Sequence, residues 1–139
     1  MQIDSSTPFG QRVARRLDEE RIAWLTTVRR DGTPEPSPIW FLWDGSELLI
    51  YSRPNTQKLR NIGRDPRVSF NLDSDGRGGD IVVITGQARI DTSAPPAHRV
   101  AAYAAKYAES IKGIGLTPEQ FAQAYSVPIR LTPEKLRGH

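Results

Sequence analysis

The chain has 139 residues, no Cys and only two His, and its formal net charge is +3. This length predicts one domain over residues 1–139, with a core large enough to need no disulfide. The absence of Cys excludes disulfides, thiolate metal sites and a cysteine nucleophile. Two imidazoles are too few for a histidine metal centre or a convincing catalytic triad, so no metal is expected. The positive charge favours an anionic ligand.

The N-terminal residues lack the charged and apolar regions of a signal peptide, and no apolar run approaches membrane-spanning length. We therefore expect a soluble, cytoplasmic protein without a membrane span. No Lys/Arg block of the kind that binds nucleic acid is present, so no nucleic-acid partner is expected. Nucleic-acid binding stays an alternative that predicts strongly salt-dependent affinity.

The first predicted element is a helix that begins at Thr7-Pro8, a capping residue followed by proline at the first helical position. Apolar residues recur at Phe9, Val13 and Leu17, and this stripe ends around residue 20. The opposite face carries three arginines, Arg12, Arg15 and Arg16. A solvated face is the default interpretation of these arginines.

Six strands are predicted, over residues 22–28, 39–43, 47–52, 67–72, 81–90 and 127–131. The tight-turn signals Asp31-Gly32 and Asp44-Gly45 predict that the first three strands form an antiparallel meander. The prolines at positions 34, 36 and 38 lack the amide that a central strand needs, so the second strand is expected to begin at an edge or a bulge.

Every residue from Ile39 to Trp43 is apolar, which predicts a strand that is covered on both faces. Alternation places Ile39, Phe41 and Trp43 on one side, and Trp40 and Leu42 on the other. One cover is the core. The second cover is a helix, a partner subunit or a flat aromatic ligand.

The stretch from Tyr51 to Pro66 predicts a turn and then a short helix that starts near Asn55 or Thr56 and ends at Gly63. Lys58 lies in the first turn of this helix, where amide donors and the helix dipole favour an anion. The alternative is an ordinary capped helix with solvated basic residues. Further helices are predicted over residues 97–111 and 117–125, the second from a capping-box sequence.

These elements favour a mainly β fold with flanking helices, a small β-barrel with the helices packed outside. No catalytic motif of a hydrolase, kinase or metalloenzyme is present, and no pair of carboxylates lies in an apolar frame. A ligand site between strand 39–43 and the Lys58 turn is therefore the favoured hypothesis, with a ring on the strand and a phosphate at the helix.

The sequence resembles a known superfamily at this point. The succession L-T-T-V-R-R-D-G-T-P-E-P-S-P-I-W-F, followed by L-L-I-Y-S-R-P-N-T-Q-K-L-R-N-I-G-R-D-P-R-V-S, resembles the pyridoxamine 5'-phosphate oxidase-like split β-barrel proteins. P-S-P-I-W-F together with K-L-R-N-I-x-x-D-P-R-V is similar to the actinobacterial branch of F420 (deazaflavin)-dependent oxidoreductases, the FDOR-B type. The resemblance covers about residues 10 to 91.

The resemblance implies a six-stranded split β-barrel and a homodimer with cofactor sites at the subunit interface. It implies an F420-dependent oxidoreductase that transfers a hydride between reduced deazaflavin and an electrophilic small molecule such as an enone or a quinone. The catalytic residues stay unassigned: solvent is favoured as the proton donor, with Tyr51 as a candidate.

The resemblance also implies positions for the cofactor. Ser37, Pro38, Ile39 and Trp40 would line the ring, largely through backbone, and Tyr51, Ser52 and Arg53 would border the ring and the ribityl chain. Gln57 and Lys58 would hold the phosphate, with Asn61 nearby, and Arg77, Gly78, Gly79 and Asp80 would approach from the partner chain. Core packing is the alternative for Trp40, and surface charge is the alternative for Lys58, Arg77 and Asp80.

Two further alternatives stay open. One is an FMN-binding flavoprotein of the same fold, since FMN ends in a single phosphate. The deazaflavin carries further phospholactyl and glutamate charge, which needs additional cations such as Arg53, Arg60, Arg77 or the first-helix arginines. The other is a non-catalytic carrier of the cofactor or of a haem-type ligand.

Overall fold

A computed structural model describes residues 1–139 and contains seven strands and four α-helices. The helices are α1 (Pro8–Glu19), α2 (Gln57–Arg64), α3 (Ala101–Gly113) and α4 (Pro118–Ala124), and a 3-10 turn covers Ala97–Arg99. The strands are β1 (Ala23–Val28), β2 (Pro34–Ile39), β3 (Leu42–Trp43), β4 (Leu48–Ser52), β5 (Arg67–Asn71), β6 (Val82–Ile90) and β7 (Val127–Gly138).

The strands form one antiparallel sheet in the order β2-β1-β5-β6-β7-β4-β3. This curled sheet with flanking helices confirms the predicted split-barrel class, with seven strands where six were expected. The additional strand arises because the predicted strand 39–43 is divided. Ile39 ends β2 at one edge of the sheet, and Leu42 begins β3 at the other edge.

The chain crosses between the two edges at Trp40 and Phe41, so the predicted meander of the first three strands is wrong. The backbone of Phe41 bonds to side chains of α3 at this point. Its amide donates to the Tyr107 hydroxyl at 2.8 Å, and its carbonyl accepts from Lys106 Nζ at 2.9 Å. These bonds take the place of a strand partner for Phe41 and hold the crossover against α3.

The predicted alternation of the apolar residues is confirmed across this crossover. Ile39 and Phe41 belong to the main core inside the curled sheet. Trp40 and Leu42 pack against a second cluster, built from one face of β4 and the helices α3 and α4. Of the three covers considered for the second face, a helical layer is the one that this chain supplies.

Helix α1 begins after its predicted cap, since Thr7 Oγ1 accepts from the amide of Gly10 at 3.0 Å. The solvated interpretation holds for Arg15 and is wrong for Arg16, which is only 8% exposed. Arg16 donates to the carbonyls of Asp73 and Asp80 and pairs with Glu20 at 2.8 Å. It therefore ties α1 to the loop between β5 and β6.

Other boundaries differ from the prediction. Helix α2 passes through Gly63 and ends at Arg64, and β7 continues beyond residue 131 to Gly138. Strand β7 is longer because it pairs with the whole of β6. The register shifts at Gly86, where a Cβ would lie 2.1 Å from the Thr132 carbonyl oxygen, so glycine is required there. No helix is both long enough and apolar enough to cross a bilayer.

Candidate functional site

A cavity of about 340 Å³ lies between the crossover, the end of β4 and the helices α3 and α4. This volume falls at the lower end of the range of small-molecule sites, about 300–1,000 Å³. Its lining is mainly apolar and consists of Ile22, Pro38, Ile39, Trp40, Tyr51, Ser52, Arg53, Thr56, Lys58, Tyr103, Ile114, Phe121 and Tyr125. The cavity thus joins an aromatic wall to the start of α2.

The aromatic wall is a stack of flat rings. Trp40 lies parallel to Tyr107, with the ring centroids 4.8 Å apart, and stacks on Phe121 at 5.4 Å. Phe121 in turn stacks on Tyr125 at 4.6 Å. Such stacked faces favour a further flat ring beside them. Trp40 therefore packs in the aromatic cluster and also lines the cavity, and its contact with a cofactor ring stays a prediction.

The opposite end of the cavity is the N-terminus of α2. Thr56 occupies the capping position, but its side chain makes no capping hydrogen bond. Its hydroxyl lies 3.1 Å from Ser52 Oγ instead, and Ser52 Oγ donates to the Arg53 carbonyl at 2.8 Å. The first amides of α2 are consequently left without a side-chain acceptor, which is the arrangement that binds anions.

Two cations stand beside this helix end. Lys58 is half-buried, and burial lowers the pKa of its amino group with no carboxylate acting in the opposite direction. The guanidinium of exposed Arg53 lies 4.7 Å from the Tyr125 ring centre and pairs with no carboxylate. An anion in the cavity would gain charge pairing that the chain itself does not provide.

Half of the site residues expected from the sequence come together in this lining. They are Pro38, Ile39, Trp40, Tyr51, Ser52, Arg53 and Lys58. Tyr51 contributes its ring rather than a free proton, because its hydroxyl donates to the Pro95 carbonyl at 2.6 Å. Its candidacy as proton donor gains no support from this geometry.

Three expected residues lie outside the lining. The side chain of Gln57 donates to Asn61 Oδ1 at 2.8 Å, and fully buried Asn61 donates to the Thr27 hydroxyl at 2.9 Å. These bonds tie α2 to β1. Ser37 points to the same side of β2 as Ile39, and its hydroxyl is buried without a partner. A phosphate contact by Gln57 or Asn61 stays a prediction.

The Arg77-Gly78-Gly79-Asp80 segment also lies outside the lining, next to α1. The Asp75 carboxylate accepts from the amides of Arg77 and Gly79, and this holds the turn. Asp80 pairs with Arg12 at 2.7 Å and with Arg16 at 3.4 Å. Within one chain this carboxylate is neutralised structurally, and the approach of the segment to a partner's cofactor stays a prediction.

Sequence reasoning missed six lining residues: Ile22, Thr56, Tyr103, Ile114, Phe121 and Tyr125. Three of these are aromatic: Tyr103 on α3, Phe121 on α4 and Tyr125 directly after α4. The signal that could have found them is the four-residue spacing of Tyr103 and Tyr107 and of Phe121 and Tyr125, which places aromatic rings on one side of each helix. No group of three or more His, Asp or Glu side chains is placed to hold a metal ion.

Comparison with known proteins assigns the fold to a family. The sequence profile described as pyridoxamine 5'-phosphate oxidase matches residues 9–139, which is nearly the whole chain. The chain belongs to the pyridoxamine 5'-phosphate oxidase family. The family resemblance read from the sequence is thereby confirmed at this level.

Several solved structures have the same fold and align with most of this chain. An F420 reductase is 26% identical with a TM-score of 0.68, over 88% of this chain and 94% of the other. A conserved hypothetical protein from Mycobacterium tuberculosis is 27% identical with a TM-score of 0.67, over 91% and 81%. A FAD-binding protein from Mesorhizobium loti, 19% identical over 91% and 88% with a TM-score of 0.65, shares the fold.

Proposed function

We propose that this chain is an F420-dependent oxidoreductase of the deazaflavin branch, with its cofactor in the cavity between Trp40 and Lys58. One observation carries the proposal: a stack of flat rings and two unpaired cations at an uncapped helix end line the same cavity. Flavin-type cofactors combine a flat ring with an anionic tail, so the two ends of the cavity match the two ends of such a molecule. The 26% identity to an F420 reductase supports the deazaflavin.

The anion site alone cannot account for the binding free energy of a cofactor. An anion at a helix end gains about 0.3–1 kcal/mol when exposed and about 2 kcal/mol when partly buried. Micromolar affinity requires about 8 kcal/mol. Burial of the ring against Trp40 and Phe121, together with backbone hydrogen bonds, must therefore supply most of the affinity, and Lys58 fixes which way round the molecule binds.

In this proposal the protein positions its reactants and contributes no nucleophile. When bound in reduced form, the deazaflavin supplies a hydride to an electrophilic organic acceptor such as an enone or a quinone. Pro38, Ile39 and Trp40 form one side of the ring site and exclude water from it, while Lys58 and Arg53 hold the anionic tail. The Tyr51 phenol is bonded to a backbone carbonyl, so solvent is the proposed proton donor.

FMN is the second candidate cofactor, and the small number of cations in the cavity lining favours it. Lys58 and Arg53 are the cations in the lining, and Lys58 alone is half-buried, which suits one phosphate. Exposed Arg60 bonds to the Asn55 carbonyl and to Gln57 Oε1, so it is partly committed. Arg53 and Arg60 would have to serve the additional charges of the deazaflavin tail.

We also propose a homodimer, formed through the outer face of β2, β1, β5 and β6. Two cross-strand rows on this face carry no charge: Pro38, Trp24, Asn71 and Val83 in one, and Pro36, Thr26, Ser69 and Thr85 in the other. Trp24 is 36% exposed in the single chain. Because Pro38 belongs both to this face and to the cavity, a second copy would border the cofactor. Sedimentation equilibrium of the wild type and of Trp24→Glu tests this, since the variant should be monomeric.

Fluorescence titration of the purified protein with coenzyme F420 and, separately, with FMN tests the cofactor proposal. We expect saturable quenching with F420 at micromolar concentration or below. Tight FMN binding without F420 binding would replace the first candidate by the second. Binding of neither cofactor would overturn the proposal, and turnover of none across a panel of quinones and enones would favour a non-catalytic carrier.

A further inference from the structure

Tyr103 is the one tyrosine of the aromatic cluster whose hydroxyl is both buried and without a hydrogen-bond partner. Its side chain is fully buried on α3, between the rings of Tyr51, Tyr107 and Phe121. The neighbouring phenols are both satisfied. Tyr51 donates to the Pro95 carbonyl at 2.6 Å, and Tyr107 donates to the Arg21 carbonyl at 2.7 Å and accepts from the Phe41 amide. The Tyr103 hydroxyl is buried and unpaired.

A buried hydroxyl without a partner destabilises a folded protein, because it loses its bonds to water and gains none. Phenylalanine would keep the ring contacts at position 103 and avoid that penalty. Burial raises the pKa of the Tyr103 phenol far above its ordinary value, so the group stays neutral and keeps a proton to donate. A neutral phenol can donate a hydrogen bond to an uncharged acceptor such as a carbonyl oxygen.

The position of Tyr103 indicates where its acceptor comes from. Tyr103 lines the same cavity as Trp40, Phe121 and Lys58, and its hydroxyl has no hydrogen-bond partner in the protein. A molecule that packs against Tyr103 in the cavity is the remaining source of an acceptor. Lys58 and the start of α2 serve the anionic end of a bound molecule, which leaves Tyr103 for the ring end.

We propose that the Tyr103 hydroxyl donates a hydrogen bond to a ring carbonyl oxygen of the flat heterocycle bound in this cavity. The inference rests on the proposed function, since flavins and deazaflavins both carry carbonyl groups on one edge of their ring. Tyr103 then sets the orientation of the ring within its plane, while the stacked aromatic wall sets only the plane itself. An apolar polycyclic molecule without a carbonyl would lack this bond and bind less well.

The test compares Tyr103→Phe with Tyr107→Phe, which removes a hydroxyl that is bonded within the protein. Without ligand, Tyr103→Phe should melt at or above the wild-type temperature, whereas Tyr107→Phe should melt below it. With whichever of F420 and FMN binds the wild type, Tyr103→Phe should bind about five- to tenfold less tightly, the loss expected for one hydrogen bond. The long-wavelength absorption band of the bound cofactor should also shift.

The outcomes separate this inference from the proposed function. Unchanged affinity and an unchanged absorption band in Tyr103→Phe would overturn the hydrogen bond while leaving cofactor binding intact. A melting temperature that falls as far as that of Tyr107→Phe would show an internal partner for the hydroxyl, which also overturns the proposal. Binding of neither cofactor by the wild type would remove the proposed function and this inference together.

Discussion

Two basic regions of this protein look alike in the sequence and differ in the structure. Helix α1 carries Arg12 and Arg16, and both are committed to the chain through Asp80 and through carbonyls of the β5–β6 loop. Arg53 in the turn before α2 and Lys58 in the first turn of α2 form the second region, and neither pairs with a carboxylate. The first pair stabilises the fold, and the second pair is available to a ligand.

A cluster of cations therefore indicates an anion site only where the chain provides no anion of its own. The Asp80 carboxylate occupies the position that a ligand would take beside Arg12 and Arg16. Beside Lys58 the corresponding position is a cavity with an uncapped helix end. Substitution of a cation in the first region should therefore lower stability, and substitution of a cation in the second should lower ligand affinity.

The largest effect is expected for Arg16→Met. This change removes a buried cation that bonds to the carbonyls of Asp73 and Asp80 and leaves the charge of Asp80 less compensated. We expect the free energy of unfolding to fall by about 3 kcal/mol. Urea denaturation measures this loss. Arg15→Met, on the exposed face of the same helix, is the matched control and should change stability by less than about 0.5 kcal/mol.

Lys58→Ala should lower ligand affinity and leave stability unchanged, the reverse of what is expected for Arg16→Met. Loss of one charge-assisted contact to a phosphate, about 1.5–3 kcal/mol, should lower cofactor affinity about 10- to 100-fold. Stability without ligand should stay within about 0.5 kcal/mol of wild type, because no internal partner is lost. Titration and urea denaturation of the same preparation give both values. Exposed Lys112→Ala should change neither, and equal affinity of Lys58→Ala and wild type would place the phosphate elsewhere.

Lys106 is a third kind of cation, whose partners are the Phe41 carbonyl and the Phe41 ring. Burial lowers its pKa to about 8, while the carboxylates of Asp18 and Glu20 oppose that change. Between pH 8 and the ordinary lysine pKa the unfolded chain binds a proton that the folded chain does not, so stability rises with pH.

Comparison of wild type with Lys106→Met isolates this contribution, because the pKa of Lys58 is lowered in both proteins. Between pH 8 and 10 the stability of wild type should rise relative to the variant by at most about 1 kcal/mol per pH unit. Above pH 10 the raised pKa values of the buried tyrosines reverse the trend in both. A difference independent of pH would show that Lys106 titrates normally.

The smallest effect is expected for Arg53→Gln. Arg53 is exposed, so each contact to an anion is worth at most about 1 kcal/mol, or roughly fivefold in affinity. The loss should be larger for F420, whose tail extends further and carries more charge, than for FMN. Parallel titrations at low and moderate salt measure it. An equal loss for both cofactors would indicate that Arg53 contacts only the phosphate that follows the ribityl chain.

Much of the fold was predictable because its signals are local. The cap of α1, the tight turns and the alternation of residues 39–43 depend on neighbouring residues, and each was confirmed. The division of strand 39–43 between two sheet edges was not predictable. It depends on Tyr107 and Lys106, which lie more than sixty residues away in the sequence and bond to the Phe41 backbone.

Prediction of the site from the sequence has the same limit, because it depends on contacts between distant residues. The turn that leads into α2 was found from sequence, and with it the positions of Arg53 and Lys58 in the cavity lining. Nothing local distinguishes Lys58 from Arg16, because the partner that neutralises Arg16 comes from a distant loop. Tyr103 was missed for a related reason, since its helical spacing is that of a packed face and only the structure reveals the unpaired hydroxyl.

Ligands that differ only in the phosphate test whether Lys58 holds the phosphate of a cofactor whose ring lies on Trp40. FMN and riboflavin have the same ring and ribityl chain, and only FMN carries the phosphate. Wild type should bind FMN at least tenfold more tightly than riboflavin, and Lys58→Ala should reduce this difference about tenfold or more by weakening FMN alone. Equal losses for both ligands, or a preference for FMN that the substitution leaves undiminished, would contradict the proposal.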